Sequence, residues 1–452
     1  MPDVPRWQFR VSQRGDSGPD SCALGLWMLR ANPQASDQPW SFRQRRSLSD
    51  PMQTTAKTAE DIIGIVPHTL GYIPRESLVA IIVGTDEDGG QSCATTLRVD
   101  FDLETAAHIV AEGGQWYSDL IAGACAASGV FLALYDSEYQ RDLPGAGRRP
   151  DTDPAQGGDN GDEYSYVRRD LIRAAIDEIA MALGDRGIDT LGAWWVSEER
   201  FGRIDGDGLT STLLEAAATS ACATELIAGG SAPAASAKEL VARPVSAAEF
   251  QDSRRDCADT RLTIGEGFDI ISEVYPRLVR LSEGDDPIDR AALTELMTLQ
   301  TVMAIDAILG EKWSRDALEM ILSFDHPNFS RSDLKKCGPG QLHRRAQRYG
   351  RSPQAAQHMV GLSDRAPKPS DVQLGIEFLE AYIPLGHPDV RATAYAVIAW
   401  FEWSLGGSTM AEHYAQAGLD LDADHSMATL IINAVQHGYL PRWLMPVRRG
   451  PG

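Results

Sequence analysis

Ser77-Leu78-Val79-Ala80-Ile81-Ile82-Val83-Gly84 is a continuous apolar run, rich in β-branched residues and closed by a glycine. It is too short for a buried helix and has no polar alternation, so it reads as a strand covered on both faces. Beyond it, Asp86 to Gly90 reads as a hairpin connection. Thr95-Thr96-Leu97-Arg98-Val99-Asp100-Phe101 then alternates polar and apolar residues, as a half-buried strand does. On the other side, Glu60 to Pro67 predicts a short helix with acids in its first turn, where the helix dipole favours them. Gly71-Tyr72-Ile73-Pro74 has the composition of a turn. Further along, residues 104–128 are Ala-rich and helical, and Val130 to Tyr135 is a short apolar strand. Val167, Leu171, Ala175, Ile179 and Leu183 share one helical face, which leaves Arg168, Arg169 and Asp177 for the surface. Gly184 and Gly187 close that helix, and Leu191 to Val196 is the next strand. Helix and strand therefore alternate over residues 58–200. The expected fold there is α/β, a mixed sheet with flanking helices, because the hairpin excludes a purely parallel arrangement.

Past residue 210 the pattern turns helical. Asp286-Pro287 places a capping acid before a proline suited to the first helical position, and Leu293 to Ile305 follow, apolar on much of the circumference, with a stop at Gly310. Residues 328–369 break the pattern with Gly, Pro, Ser and basic side chains. Ser370 with Gln373 then forms a capping-box pattern. Pro388 opens a helix ending at Gly406-Gly407, Ser408 begins a second, and a third ends at Gly438. Alanines at helical spacing allow close approach, with Trp400, Trp403 and Tyr414 filling the seam. This C-terminal region reads as all-helical and tetratricopeptide-like. A single such unit cannot bury its own face, so it either packs against the helices of residues 260–325 or offers a peptide groove. The expected plan is a disordered tail over 1–55, an α/β domain over 56–250 with a mobile loop at 136–163, and a helical region over 251–327. A basic Gly/Pro-rich linker over 328–369 and a C-terminal helical bundle over 370–445 complete it.

Composition limits the function classes. The chain of 452 residues carries 64 acidic against 42 basic side chains, a formal net charge of -22. Such a surface disfavours nucleic acid and anionic membranes as general partners. The six cysteines, at 22, 93, 125, 222, 257 and 337, include no close pair, which argues against a zinc site and for reduced thiols in a cytoplasmic setting. No stretch has the apolar length of a membrane helix, and the N-terminus reads as lacking a signal peptide. Trp27, Met28 and Leu29 in the tail form either a docking motif or an incidental cluster. No G-x-S-x-G, phosphate-binding loop or H-E-x-x-H occurs, and His413, His425 and His437 fall on different helices.

The segment Asp61-Ile62-Ile63-Gly64-Ile65-Val66-Pro67-His68-Thr69-Leu70-Gly71-Tyr72-Ile73-Pro74-Arg75-Glu76-Ser77-Leu78-Val79 resembles the opening signature of the family named domain of unknown function 4192. That family shows an acid, a proline, Gly-aromatic, a second proline and Ser-Leu-Val in this order. Arg98 and Asp100 are similar to its Arg-x-Asp strand. Ser236-Ala237-Lys238-Glu239-Leu240 is similar to a later element, with Ala237 standing where Arg is usual. Ala392 to Leu440 fits as well, which extends the resemblance over roughly residues 56–445. It implies a cytosolic actinobacterial protein and supplies no activity, cofactor or ligand.

The best candidate site is the loop Gly71 to Ser77 with the adjoining strand. Glycine and two prolines fix a rigid turn beside a buried strand, and loop ends on such sheets often carry binding groups. Gly71, Pro74, Glu76 and Ser77, with Arg98 and Asp100 on one face of the neighbouring strand, are the candidate binding residues. Either they receive a ligand, or they shape a connection while Arg98 and Asp100 pair with each other. Lys335, Lys336, Arg344, Arg345, Arg348 and Arg351 form a basic patch with Tyr349 as its sole aromatic. It serves as a solvated face, a contact to the acidic loop, or a nucleic-acid site. The leading expectation is a protein-interaction or regulatory scaffold without catalytic activity, engaging another protein through the C-terminal helices. Its first alternative is a small-molecule-binding protein or enzyme with its site at the Gly71–Ser77 loop. The second is nucleic-acid binding through 335–351. No catalytic residue, metal or cofactor is assigned, and the oligomeric state is not legible.

Overall fold

The computed structural model describes residues 9–10, 53–54, 56–85, 91–124, 127–139, 160–204, 210–242, 261–281, 290–323 and 340–444. The chain divides into two compact units, Met1–Ser236 and Ala237–Gly452. Most of the expected tail, the centre of the 136–163 loop, the cluster Trp27 to Leu29, the hairpin residues 86–90, Asp286-Pro287 and Lys335-Lys336 lie outside the described residues.

The first unit is a three-layer α/β structure. Strands β1 (Phe9–Arg10) and β2 (Gln53–Thr54) form a small antiparallel pair. The main sheet comprises β3 (Ser77–Thr85), β4 (Gln91–Asp100), β5 (Ala127–Tyr135), β6 (Asp189–Val196), β7 (Arg200–Arg203) and β8 (Ser211–Leu213), in the order β4-β3-β5-β6-β7-β8. Only β5 and β6 are parallel; every other neighbouring pair is antiparallel. Ser77 pairs with Asp100 on one side and with Tyr135 on the other.

The period of two along β3 explains the layers. Leu78, Ala80 and Ile82 face one core with Leu132, Leu134 and Trp195, under helices α2 (Leu103–Glu112), α3 (Gln115–Ala124) and α4 (Asn160–Gly184). Val79, Ile81 and Val83 face the other, with Phe131, Tyr135 and Trp194, under α1 (Ala59–Leu70), α5 (Leu214–Ala218) and α6 (Ala221–Ala228). Each fully buried Ile or Val here contributes about 1.5–3 kcal/mol. Buried Cys222 belongs to this second core and is a free thiol.

Three local expectations change. Helix α1 runs past Pro67 to Leu70: Thr58 and Asp61 build a reciprocal capping box at its start, and Gly71 (φ 79°) ends it. Val167 is 62% exposed, and Arg168, expected at the surface, is buried instead. The inward face of α4 is Arg168, Ile172, Ala175, Ile176 and Ile179, because Asp136 draws Arg168 inward. The sheet also gains β7 and β8 beyond Val196, and their few residues were too short to carry a period.

The second unit is all-helical: α7 (Ile264–Leu281), α8 (Arg290–Leu296), α9 (Leu299–Leu309), α10 (Lys312–Ser323), α11 (Gln341–Gly350), α12 (Pro353–Met359), α13 (Pro369–Tyr382), α14 (Pro388–Ser404), α15 (Ser408–Leu421) and α16 (Ser426–Gln436). The apolar stretch over Leu293–Ile305 is two helices, since Thr298 caps α9 through the amide of Thr301. The stretch expected as a basic linker carries α11 and α12. Ser370 lies inside α13, which starts with Pro369 at its first position. Helices α14, α15 and α16 pack consecutively, and Gly418 of α15 sits against the carbonyl of Ala392. Helix α14 is enclosed, with Ala396, Ala399 and Trp400 all out of solvent. It also packs on α13 and α9, so this unit buries its face against its own neighbours.

Among the described residues no helix is long and apolar enough to cross a membrane. Nor do three or more His, Cys, Asp or Glu side chains gather as a metal ion would require.

Candidate functional site

One end of the main sheet gathers the start of β3 and the ends of β4, β5 and β6. The antiparallel β3–β5 and parallel β5–β6 pairings bring Ser77, Asp100, Tyr135 and Val196 to that edge. Loop ends on such sheets are common ligand positions.

Glu76 enters β3 with φ 42°, a left-handed conformation that costs a non-glycine residue on the order of 1 kcal/mol or more. Its backbone is held by the amide of Phe101, which donates to the Glu76 carbonyl at 3.1 Å. Its carboxylate accepts from the Ser137 amide at 3.2 Å and the Ser137 hydroxyl at 2.9 Å. Ser77 is fully buried, and its hydroxyl donates to the Arg75 carbonyl at 2.9 Å. Arg98 donates to the same carbonyl at 3.3 Å and pairs with Asp100 at 2.5 Å.

The remaining candidates shape the chain. Gly71 ends α1, and its carbonyl accepts from the Ala234 amide at 2.9 Å, while Ile73 donates to the Ala234 carbonyl at 3.0 Å. Pro74 is buried between them and Glu76. Glu76, Ser77, Arg98 and Asp100 therefore meet at one sheet end, and Gly71 and Pro74 belong to the strut behind it. His68, in the last turn of α1, is held by Ser231 at 2.9 Å, and burial lowers its pKa.

Three neighbours complete the cluster. Asp136 follows β5, and its carboxylate accepts from Arg168 at 2.9 and 2.7 Å and from the amides of Glu138 and Tyr139 at 2.9 and 3.0 Å. Ser137 joins this turn to Glu76, and Tyr139 stacks on Trp195 with ring centroids 5.6 Å apart. The run Asp136-Ser137-Glu138 directly after a buried strand was the readable signal for this position. The inward turn of Arg168 had none. Chemically, Asp136 and Arg168 neutralise each other, while the exposed carboxylates of Glu76 and Asp100 remain able to accept from a donor-bearing ligand.

The second unit has a different surface. Among the described residues its exposed large apolar side chains are Val360, Leu362, Leu421, Leu430 and Tyr439, all beyond α11. Helices α12 and α16 end alike. Gly361 (φ 69°) and Gly438 (φ 65°) are left-handed, the amides of Leu362 and Tyr439 return to Gln357 and Ala434, and those of Gly361 and Gly438 return to His358 and Val435. This is the paired closure of a Schellman end. The chain after α16 is fastened to the end of α12, where the Arg442 amide donates to the Gly361 carbonyl at 2.7 Å, and to α14, whose Trp403 indole donates to the Tyr439 carbonyl at 2.8 Å. Leu362 and Tyr439, each following its glycine, remain 61% and 64% exposed. His437 stacks on Tyr439.

The family described as a domain of unknown function, DUF4192, matches residues 60–328, and the chain belongs to it. The match includes the whole sheet-end cluster and ends before α11, so helices α11 to α16 lie outside it. No curated protein and no solved structure matches the chain.

Proposed function

We propose that the protein acts in the cytoplasm as an interaction or regulatory scaffold, without chemistry of its own, and that its contact surface lies at the joined ends of α12 and α16. The observation that carries this reading is the pairing of two rigid helix ends that leave Val360, Leu362 and Tyr439 in solvent. Apolar side chains gathered on an ordered surface mark interaction sites more often than scattered ones do. The enclosure of α14 favours this outer surface over a tetratricopeptide-like inner groove. Replacing Leu362 and Tyr439 by glutamate should leave the unfolding temperature unchanged and abolish co-purification of proteins that the wild-type chain retains. Retention of the same proteins by the variant would refute the surface.

A second reading has one specific observation behind it. Glu76 holds a strained backbone at the end of the sheet, and such strain clusters at ligand sites. A small molecule carrying hydrogen-bond donors would engage Glu76 and Asp100. Thermal-shift screening of wild type against Glu76→Gln tests it, the expected result being stabilisation of wild type alone.

A further inference from the structure

Helix α11 and its C-cap residue Arg351 carry a line of three arginines. Arg344, Arg348 and Arg351 are spaced four and three residues apart, which puts them on one face with neighbours about 5–6 Å apart. All three are exposed. Among the described residues none of them has a carboxylate within ion-pair distance, in a chain of net charge -22. Like charges at these spacings repel one another, and an anion bound from outside would relieve that repulsion. Arg351 lies over the Trp313 ring, 5.8 Å from its centroid, which holds the C-terminal end of the line in place.

We infer that this arginine face binds a short acidic segment of a partner protein. The inference rests on the reading of the second unit as an interaction surface, and it supplies the partner's chemistry. Guanidinium groups bind carboxylates through paired hydrogen bonds, so a row of three fits alternate acids of an extended peptide, which repeat at a similar interval. One observation favours a peptide over a nucleic acid. Among the described residues no aromatic face is open beside the line: Tyr349 is buried, and Trp313 is covered by Arg351 and edged by His343 at 5.4 Å. Single strands draw on such faces for stacking.

Fluorescence anisotropy of the full chain with a labelled oligoglutamate peptide and a labelled oligothymidylate of equal charge tests this. Peptide binding is expected to exceed that of the oligonucleotide and to weaken about tenfold between low and physiological salt. It should be lost in Arg344→Gln/Arg348→Gln and kept in Leu362→Glu. No peptide binding at low salt, equal or tighter oligonucleotide binding, or an unaffected double arginine variant would overturn the inference. Loss of retained partners in Leu362→Glu with peptide binding intact would separate this face from the apolar ends of α12 and α16.

Discussion

Arg168 and Asp136 form a buried ion pair across 32 residues of chain, with side chains 8% and 5% exposed and Nη2–O distances of 2.9 and 2.7 Å. The pair ties the first described turns of α4 to the end of β5 and sets which face of α4 points inward. It also anchors the turn through which Ser137 reaches Glu76.

Removing one member leaves the other charged and buried. Asp136→Ala is expected to lower unfolding free energy by about 3–5 kcal/mol, read by urea titration. An apolar replacement of both residues should recover most of that loss. Equal losses in the single and double variants would mean that the turn, and not the ion pair, holds the stability.

The strain at Glu76 has its own test. Glycine adopts φ 42° freely and alanine does not, so Glu76→Gly should be more stable than Glu76→Ala by about 1 kcal/mol. Ser137→Ala should destabilise the wild type by about 1 kcal/mol and have little further effect in a Glu76→Gly background. Additive losses in that cycle would show that the two residues act separately.

Glu319 of α10 is fully buried, and neither carboxylate oxygen has a hydrogen-bond partner. Burial raises its pKa well above 4.5, Asp316 raises it further, and Arg315 opposes. The unfolded chain ionises near 4.5 while the folded chain stays protonated to higher pH. Stability from this group is thus complete below 4.5 and falls as pH rises towards the folded value. Glu319→Gln removes that dependence. Its stability relative to wild type should grow by about 1.4 kcal/mol per pH unit above that point, until the folded carboxyl also ionises. A difference independent of pH, in chemical denaturation between acid and mildly alkaline buffers, would contradict the assignment.

Gly361 closes α12 with φ +69°, and a Cβ there would lie 2.6 Å from the Trp403 ring and 3.0 Å from Pro441 Cα. Gly361→Ala should cost about 1–3 kcal/mol and speed amide exchange at residues 357–362 and 436–442 together. Faster exchange at the first segment alone would show that the two helix ends are not coupled.

The legible parts of the fold were those with a strong period or a committed stop. The run Ser77 to Gly84 fixed β3, the alternation after it fixed β4, and Gly187, Gly406 and Gly438 marked ends that the structure places close by. Local pattern failed where a distant partner decides. Val167 and Arg168 exchange places because of Asp136. Thr298 splits one apolar stretch into two helices through a single side-chain cap. At the sheet end, Glu76, Ser77, Arg98 and Asp100 were readable as neighbours of one strand pair. The contributions of Ser137 and Arg168 required the turn after β5. The facing ends of α12 and α16 were not readable, because the hydrogen bond that joins them, Arg442 to Gly361, spans residues far apart in sequence.

The sharpest test of the proposed contact surface is site-specific photo-crosslinking in cells. A photoreactive amino acid would replace Leu362, and in a separate chain Met181, an exposed apolar residue of the first unit. The scaffold reading predicts a discrete protein adduct from position 362 and none from 181. No adduct at 362, or equal adducts at both positions, would contradict it.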